Sequence, residues 1–322
     1  MKTFPNIAKP KHLTRGAQST PSASEVIRRE IAIMKRLSHP NLVNLVEVIE
    51  EAEDPKKLYM VLELVDGGMI MSSLTSDLKN ASPLFFATKG TTGEYTEQEC
   101  SQLFRQLLSG MAYLHGNNIV HRYHLLPISI LSICSNALCL YLRDLKPDNI
   151  LVTSAGVVKI MDFGVSNDFT QASTSSMRNG FISDTKGTWP FWSPEMCDDD
   201  DDEDEPVKYS AYKADVWAGG VVLYILLFRK LPFWSDDMIE LFSQIAGQAH
   251  GDPLHFPAEK SAASLALLSA MMSPNPSDRP SFADCAKFEW IQLHSDEHTE
   301  RLHQEASEKM INRDESLDTE QA

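Results

Sequence analysis

Two short polar motifs in the middle of the chain have the residue types that phosphoryl transfer requires. The first motif, 144–149, reads Asp-Leu-Lys-Pro-Asp-Asn, and the second, Asp-Phe-Gly, begins at Asp162 after twelve further residues. Phosphoryl transfer depends on positioning and charge neutralisation more than on covalent help. We therefore expect Asp144 to orient an attacking hydroxyl and Lys146 to place a cation beside the transferred group. Asn149 and Asp162 carry the oxygen atoms that Mg²⁺ prefers as ligands.

The residues between the two motifs predict a hairpin that would bring the metal ligands together. Segments 150–152 and 157–160 are typical of short strands, and Ser-Ala-Gly at 154–156 supplies a turn. Such a hairpin would place Asn149 and Asp162 at neighbouring strand ends. A lone Asp-Phe-Gly triplet indicates no more than surface carboxylates on a hairpin, but both motifs in this order and at this separation favour a catalytic site.

The composition is that of a globular protein with an acidic bias. Of the 322 residues 43% are hydrophobic, and the formal net charge is −16. Half of this charge lies in one run, 198–205, which most simply forms a solvated loop and alternatively attracts basic partners. An acidic chain lacks the basic stripe of a nucleic-acid binder. The five cysteines show no metal-ligand spacing, which favours reduced thiols and a cytoplasmic protein.

The hydrophobic pattern changes along the chain from strands to helices. We predict a helix over 24–37, strands over 42–50 and 58–64, an irregular stretch over 72–95, and an amphipathic helix over 96–115 that begins with a Thr96–Glu99 capping box. Further helices are predicted over 213–228, 236–247, 262–272 and 282–292. This order predicts an α+β fold in which a small sheet-bearing lobe precedes a larger helical lobe.

Beyond the two motifs, the chain resembles eukaryotic serine/threonine protein kinases, and among them the calcium/calmodulin-dependent protein kinase kinase group. Residues 25–41 (EVIRREIAIMKRLSHPN) are similar to that group's C helix and the turn after it, and Val-Ser-Asn at 165–167 is a distinctive extension of Asp-Phe-Gly. The resemblance runs from Glu25 to Trp290. It implies a bilobal kinase domain over 23–292, with N-lobe residues 23–66 and C-lobe residues 67–292.

The resemblance also implies roles for residues outside the two motifs. Five of them would bind ATP: Glu30 through the family's ATP-positioning lysine, Leu62 as gatekeeper, Glu63 and Val65 as hinge residues that bind adenine, and Leu151 beneath the adenine. Four would stack as a regulatory spine: Met34, Leu45, His121 and Phe163. Thr188 would bond Asp144 and Lys146. Glu195, in Ser-Pro-Glu where the family has Ala-Pro-Glu, would pair with Arg279, and Asp215 would hold the catalytic loop.

One departure from the family pattern lies at the start of the chain. No glycine-rich loop precedes the C helix, because Gly16 is the only glycine before Gly67. No Val-Ala-x-Lys strand is recognisable either, and Lys9, in Ile-Ala-Lys, is a weak candidate for its lysine. We therefore expect residues 1–22 to be a disordered leader and the first three strands of the N-lobe to be missing, so that the chain begins just after that lysine.

A second departure is an apolar insert, 123–143, that divides the catalytic loop. The family pattern requires Arg122 to be followed directly by Asp144, but 21 residues intervene and the insert ends in a second arginine, Arg143. The codons for Arg-Tyr and for Leu-Arg-Asp can contain splice-donor and splice-acceptor dinucleotides, and their use would restore His-Arg-Asp in frame. We interpret the insert as a retained intron. The alternatives are a surface loop and a membrane span.

These observations favour one function and leave one alternative. The favoured function is ATP- and Mg²⁺-dependent phosphorylation of serine or threonine in a protein, with other kinases among the candidate substrates. The truncation and the insert predict impaired activity for this chain, and a catalytically inactive pseudokinase that serves as a scaffold is the alternative. We expect no nucleic-acid or membrane partner. Residues 293–322 form a charged tail without the basic amphipathic helix of calmodulin targets, so calmodulin binding is not supported.

Overall fold

The computed structural model of the protein describes residues 2–3, 28, 31, 34–51, 58–74, 83–87, 93–117, 119–120, 140–141, 145–161, 189–197, 210–248, 251, 253–294 and 301. The chain divides into two compact units. Unit 1 contains Met1–Ser38, Val43–Leu64 and Phe163–Gly187, and unit 2 contains His39–Leu42, Val65–Asp162 and Thr188–Ala322. The acidic run 198–205 and most of the tail lie outside the described residues.

Unit 1 contains a three-stranded antiparallel sheet. Strand β1 (Lys2–Thr3) pairs with one edge of β3 (Leu58–Leu62), and β2 (Leu45–Glu50) pairs with the other edge. The strands predicted over 42–50 and 58–64 are therefore confirmed in shorter form. The prediction that residues 1–22 form a disordered leader is wrong at Lys2–Thr3, because these residues make a backbone ladder in which Lys2 lies opposite Met60.

The helix predicted over 24–37 is present at the positions that the structure describes. Arg28, Ile31 and Met34 are helical. Ile31 and Met34 are buried, as expected for apolar residues three apart on one helix face. Arg28 lies on the exposed side, where its Nη1 is 3.1 Å from Oε1 of Glu50.

The helical part of unit 2 is built around two long helices. Helix α1 (Glu97–Gly116) begins with the predicted capping box, since the Glu99 amide donates to Thr96 Oγ1 at 3.2 Å and the Thr96 amide donates to Glu99 Oε2 at 2.7 Å. Helix α2 (Ala211–Phe228) is apolar along almost its whole length, and its residues from Ala214 to Phe228 are buried on all sides. A helix that is apolar all round belongs in a core.

Four shorter helices complete this unit: α3 (Met238–Gly247), α4 (Ala262–Met271), α5 (Phe282–Cys285) and α6 (Glu289–Leu293). The single helix predicted over 282–292 is therefore wrong. Phe288 has an extended backbone, with φ −63° and ψ 144°, and this conformation separates α5 from α6. Helix α4 packs close to α2, because a Cβ added at Gly220 would lie 2.6 Å from Met272 Cγ.

Residues 72–95 are not irregular as predicted, since a hairpin occupies part of this stretch. Strand β4 (Met71–Leu74) pairs antiparallel with β5 (Leu84–Ala87). The hairpin is attached to the end of α2 through Arg229, whose left-handed backbone (φ 60°) turns its carbonyl toward the amide of Phe85 at 3.0 Å. The Arg229 guanidinium lies 5.1 Å from the ring centroid of Phe86 and bonds Glu94.

The apolar insert is described only at its ends. Ile119–Val120 (β6) precedes the insert and pairs in parallel with Leu140–Tyr141 (β7), while residues 121–139 and 142–144 lie outside the described residues. Within the part of the chain that the structure covers, no helix combines the length and the hydropathy needed to cross a membrane.

Candidate active site

The hairpin predicted between the two polar motifs is confirmed. Strands β8 (Ile150–Val152) and β9 (Val158–Ile160) pair antiparallel, with Ile150 opposite Ile160. One step further along the ladder, the Met161 amide donates to the Asn149 carbonyl at 2.9 Å. Because Met161 directly precedes Asp162, the backbone brings the two predicted metal-ligating positions to adjacent strand ends. Asp162 itself lies outside the described residues.

Lys146 and Asn149 flank a single turn of 3₁₀-helix, Pro147–Asn149. Lys146 is extended and half-buried, and Pro147 takes the first helical position, where its missing N–H leaves no donor unsatisfied. Asn149 is only 7% exposed. The amide of Asn149 donates to the Lys146 carbonyl at 3.0 Å, which fixes the short segment that joins them. The predicted hydroxyl-orienting residue, Asp144, lies outside the described residues.

Two groups outside the motifs hold this hairpin from its turn side. The Asp66 carboxylate accepts from the Ser154 amide at 2.6 Å and from the Ser154 hydroxyl at 2.5 Å. Gly67 follows Asp66, and a Cβ at this position would lie 2.1 Å from the Val152 carbonyl oxygen, so only glycine fits. Sequence reasoning treated Asp66 and Gly67 as the end of a strand, and nothing in the sequence pairs them with Ser154.

A buried polar pair holds the other side of the same hairpin. Gln106, on α1, accepts from the Val158 amide at 2.9 Å and donates to the Gly156 carbonyl at 3.1 Å. Asn41, fully buried, donates from its side-chain amide to the Val158 carbonyl at 2.9 Å. Buried amides satisfied in this way rigidify the element that they bond. Polar residues inside an amphipathic helix gave no sequence signal for this role.

The residues expected to bind adenine are found in both units. In unit 1, Leu62 ends β3 opposite Leu45, and the Glu63 amide donates to the Asn44 carbonyl at 2.9 Å. The backbone group of Glu63 that the adenine prediction requires is therefore its carbonyl. In unit 2, Val65 is half-buried, and Leu151 lies on β8 in a bridge to Met69.

Several of the residues with implied roles lie outside the described residues, so their roles remain predictions. This applies to Glu30, Thr188, and His121 and Phe163 of the regulatory spine. The remaining two spine residues belong to unit 1, where Met34 is buried and Leu45 is half-buried on β2. Lys9, the weak candidate for the ATP-positioning lysine, also lies outside the described residues.

The predicted ion pair between Glu195 and Arg279 is confirmed with bidentate geometry. Arg279 Nη1 and Nη2 each lie 2.7 Å from a Glu195 oxygen, and Arg279 is 1% exposed. The guanidinium also donates to three backbone carbonyls and lies 5.0 Å from the Trp217 ring centroid. Burial works to raise the pKa of Glu195, but the hydrogen bonds and charge of Arg279 outweigh it, so the pKa lies below its usual 4.5.

Asp215, expected to hold the catalytic loop, is fully buried on α2. Its Oδ2 lies 3.0 Å from Nε2 of His115, at the end of α1, and the His115 ring makes edge contacts with Tyr212 and Phe282. The catalytic-loop residues that Asp215 was expected to bind lie outside the described residues. The contact with His115 was missed, because a histidine in the last turn of a helix most simply indicates a favourable dipole interaction.

The register of the β6–β7 pair has the same length as the insert. Ile119 lies opposite Leu140 and Val120 opposite Tyr141, so each partner is 21 positions further along the chain. The insert 123–143 also contains 21 residues. Extended by two positions, the same offset relates Arg122 to Arg143.

Comparison with known proteins gives the class of the chain. The family model described as Protein kinase domain matches residues 7–123 and 131–291. This is more than half of the chain, and the chain therefore belongs to the protein kinase family, whose fold is bilobal.

Its curated relatives are serine/threonine kinases. The chain is 31% identical over 277 residues to "Serine/threonine-protein kinase GRIK2" of Arabidopsis thaliana, which covers 86% of this chain and 55% of the relative. It is 33% identical over 259 residues to "SNF1-activating kinase 1" of Saccharomyces cerevisiae (74% and 19%). It is 31% identical over 283 residues to "CBL-interacting protein kinase 17" of rice (88% and 50%). The chain thus spans about a fifth to just over half of these relatives.

The family implies ATP and Mg²⁺, and the described residues fit them. Asn149 offers an amide oxygen, a hard ligand of the kind that Mg²⁺ takes, from a buried and hydrogen-bonded backbone position. The strand-end geometry places the carboxylate-bearing residue 162 next along the opposing strand. The three cysteines that the structure describes, Cys100, Cys197 and Cys285, are free thiols.

Proposed function

We propose that this protein transfers the γ-phosphate of ATP to serine or threonine in a protein substrate. The observation that carries the proposal is the β8–β9 hairpin, which presents Asn149 beside the residue that precedes Asp162. Asp144 orients the substrate hydroxyl and accepts its proton, and Lys146 lies beside the transferred phosphoryl group. Asn149 and Asp162 hold Mg²⁺, which when bound neutralises charge on the phosphates. Glu63, Val65, Leu62 and Leu151 bind the adenine.

We further propose that Lys2, rather than Lys9, is the ATP-positioning lysine. The family carries this lysine on a strand ahead of the C helix, where it pairs with the helix glutamate, here Glu30. Strand β1 contains Lys2 and is part of the sheet, antiparallel to β3. Only Met1 precedes Lys2, so the Val-Ala-x-Lys motif could not be recognised from the sequence.

The insert 123–143 is, in this proposal, a retained intron, and the chain that carries it has impaired activity. The equality between the β6–β7 register and the insert length supports this, because removal of 21 residues lets Arg122 take the place of Arg143 directly before Asp144. A surface loop or a membrane span predicts no such equality. Transcripts sequenced across this junction should contain spliced reads, and uniformly unspliced reads would reject the intron.

The subgroup and the substrate are proposed on narrower grounds. The Val-Ser-Asn extension at 165–167 and the 25–41 segment favour the calcium/calmodulin-dependent protein kinase kinase group. The yeast relative bears a name that says it activates SNF1. We propose that this protein likewise acts on another kinase, in the cytoplasm and without calmodulin.

An inactive scaffold is the second candidate, and one observation favours it. The Glu195–Arg279 pair and the buried α2 helix involve no residue of the catalytic loop 121–144. A docking platform would therefore persist in a chain whose catalytic loop is divided. The scaffold predicts that removing residues 123–143 restores no transfer.

The test compares the chain as written with the same chain lacking residues 123–143. We expect the shortened chain to transfer ³²P from [γ-³²P]ATP to serine- and threonine-containing protein, and the chain as written to transfer far less. In the shortened chain Asp162→Asn should abolish transfer, whereas Asp148→Asn, at the exposed neighbour of Asn149, should leave it unchanged. Absence of both transfer and Mg-ATP-dependent thermal stabilisation in the shortened chain would refute the enzyme and leave the scaffold.

The lysine assignment has its own matched pair of variants. Lys2→Met in the shortened chain should lower the transfer rate by about a hundredfold or more, the usual effect of removing one charge-stabilising group. Lys9→Met should leave the rate unchanged. The opposite result would return the role to Lys9, and unchanged rates in both variants would remove it from each.

A further inference from the structure

A group of partly exposed apolar side chains in unit 2 has no role in the proposed reaction. The Trp192 ring stacks on Phe242 of helix α3, with centroids 5.2 Å apart and an interplanar angle of 12°. The Trp189 ring meets the same Phe242 edge-on at 6.3 Å. One helical turn before Phe242, Ile239 is 76% exposed. We call these four residues (Trp189, Trp192, Ile239 and Phe242) the α3 surface.

The exposure of Ile239 is not a requirement of the fold. Helix α3 is anchored through its opposite face, where Leu241 is 2% exposed and Ile245 is fully buried. Among the large apolar side chains that the structure describes, only Leu64 and Ile239 are more than two-thirds exposed. Residues three apart on a helix are neighbours, so Ile239 extends the aromatic cluster at Phe242. Exposed apolar side chains beside tryptophan are typical of protein-binding surfaces.

The charges around this surface have one sign. Asp236, Asp237 and Glu240 are exposed at the start of α3, and the helix sequence contains no lysine or arginine. The Asp237 carboxylate is fixed in place as the helix cap, because its Oδ1 accepts from the amides of Ile239 and Glu240 at 2.8 and 3.1 Å. An apolar surface bordered by carboxylates is complementary to an apolar side chain that lies beside lysine or arginine.

The surface is also held in a fixed arrangement. The segment Pro194–Met196, which follows Trp192 closely, packs against α3. Within this segment Glu195 is clamped by the buried Arg279. Phe191, between the two tryptophans, is buried. A binding surface whose side chains are already ordered loses less entropy when a partner binds.

We propose that the α3 surface binds a short segment of a partner protein in which leucine or a similar apolar residue alternates with arginine or lysine. The apolar side chain covers Ile239 and the edge of the Trp192–Phe242 stack, and the basic side chains lie against Asp236, Asp237 and Glu240. This goes beyond the proposed function, because binding here requires neither ATP nor phosphoryl transfer. Its consequence for the kinase is a means of retaining a partner at a site other than the reacting hydroxyl.

The test uses a fluorescein-labelled peptide, Arg-Leu repeated four times, titrated with the full chain in the absence of nucleotide and followed by anisotropy. We expect saturable binding to the wild-type chain. Ile239→Glu should weaken it at least tenfold, because an isoleucine contact is lost and a carboxylate enters the apolar surface. The matched control is Leu293→Glu, which places the same charge at another exposed leucine in unit 2 and should change the affinity less than twofold.

A second peptide, Arg-Ser repeated four times, separates apolar recognition from attraction to a chain of charge −16. It should bind at least tenfold more weakly than the leucine peptide. Equal binding of both peptides, equal affinity in Ile239→Glu and wild type, or no binding of the leucine peptide would each overturn the proposal. Sedimentation of the wild-type chain tests the remaining occupant, since self-association abolished by Ile239→Glu would assign the surface to a second copy instead. None of these results depends on whether the chain transfers phosphate.

Discussion

Replacement of Arg279 by methionine should cost unit 2 a large part of its stability. The side chain of Arg279 is completely buried, and that of Glu195 is 14% exposed. Methionine keeps the apolar stem but removes five hydrogen bonds, two to Glu195 and one each to the carbonyls of Ser273, Pro274 and Lys213. The Glu195 carboxylate is then left in a mostly buried position without its counter-ion.

Breaking a buried ion pair by removing one partner typically costs about 3–5 kcal/mol of unfolding free energy. Urea unfolding gives the assay, with m-values of about 1–3 kcal/mol/M, so we expect the midpoint of Arg279→Met to fall by roughly 1–2 M. All five tryptophans lie in unit 2, so fluorescence reports on the unit that contains the pair. The control is Lys287→Met, which breaks an exposed ion pair with Asp284 and should give no resolvable shift.

The same pair predicts the pH dependence of this loss. Because the folded-state pKa of Glu195 lies below 4.5, its contribution to stability is complete above that pH and is lost as the pH falls through the folded pKa. In Arg279→Met only the effect of burial remains, which raises the pKa of Glu195, so protonation relieves the unpaired charge. The difference between wild type and variant should therefore shrink as the pH falls from 7 to 4. A difference that stays constant or grows would refute the role of the ion pair.

Two further predictions follow from the geometry. Gly67→Ala should lower stability by about 3 kcal/mol or more, because the new methyl group meets the Val152 carbonyl, whereas Gly116→Ala meets nothing within 4 Å; equal thermal midpoints for both variants would contradict this. Burial raises the pKa of Cys100 and of Cys285 to about 12, so neither should be alkylated by iodoacetamide at pH 8 until the chain unfolds, and mass spectrometry of the native protein would show otherwise if either thiolate were accessible.

The parts of the fold that the sequence predicted depend on local signals. The Thr96–Glu99 capping box is a four-residue pattern with a direct hydrogen-bond meaning, and it is present. The β8–β9 hairpin follows from two short apolar runs around a glycine turn. The Glu195–Arg279 pair spans 84 positions and came from the family resemblance, since no local pattern relates the two residues.

The features that were missed arise where distant segments decide local structure. Strand β4 carries two adjacent serines and so lacks the alternation of a half-buried strand, and its partner β5 is fixed by the carbonyl of Arg229, far along the chain. Strand β1 contains only two residues and becomes a strand because β3 offers it an edge. The break between α5 and α6 depends on the backbone of one residue, Phe288, which helical periodicity does not report.

The contacts that support the hairpin also indicate which part of the reaction the insert should impair. Asp66 and Gln106 hold the β8–β9 hairpin from two sides, and both lie outside the insert 123–143. The position of Asn149 therefore depends on contacts that the insert does not interrupt. Asp144, by contrast, directly follows the insert and takes its position from the chain that precedes it. If Asn149 and Asp162 hold Mg²⁺ as we propose, the chain as written should retain more of its Mg-ATP binding than of its transfer rate. Loss of both to the same extent would mean that the insert disturbs the hairpin itself.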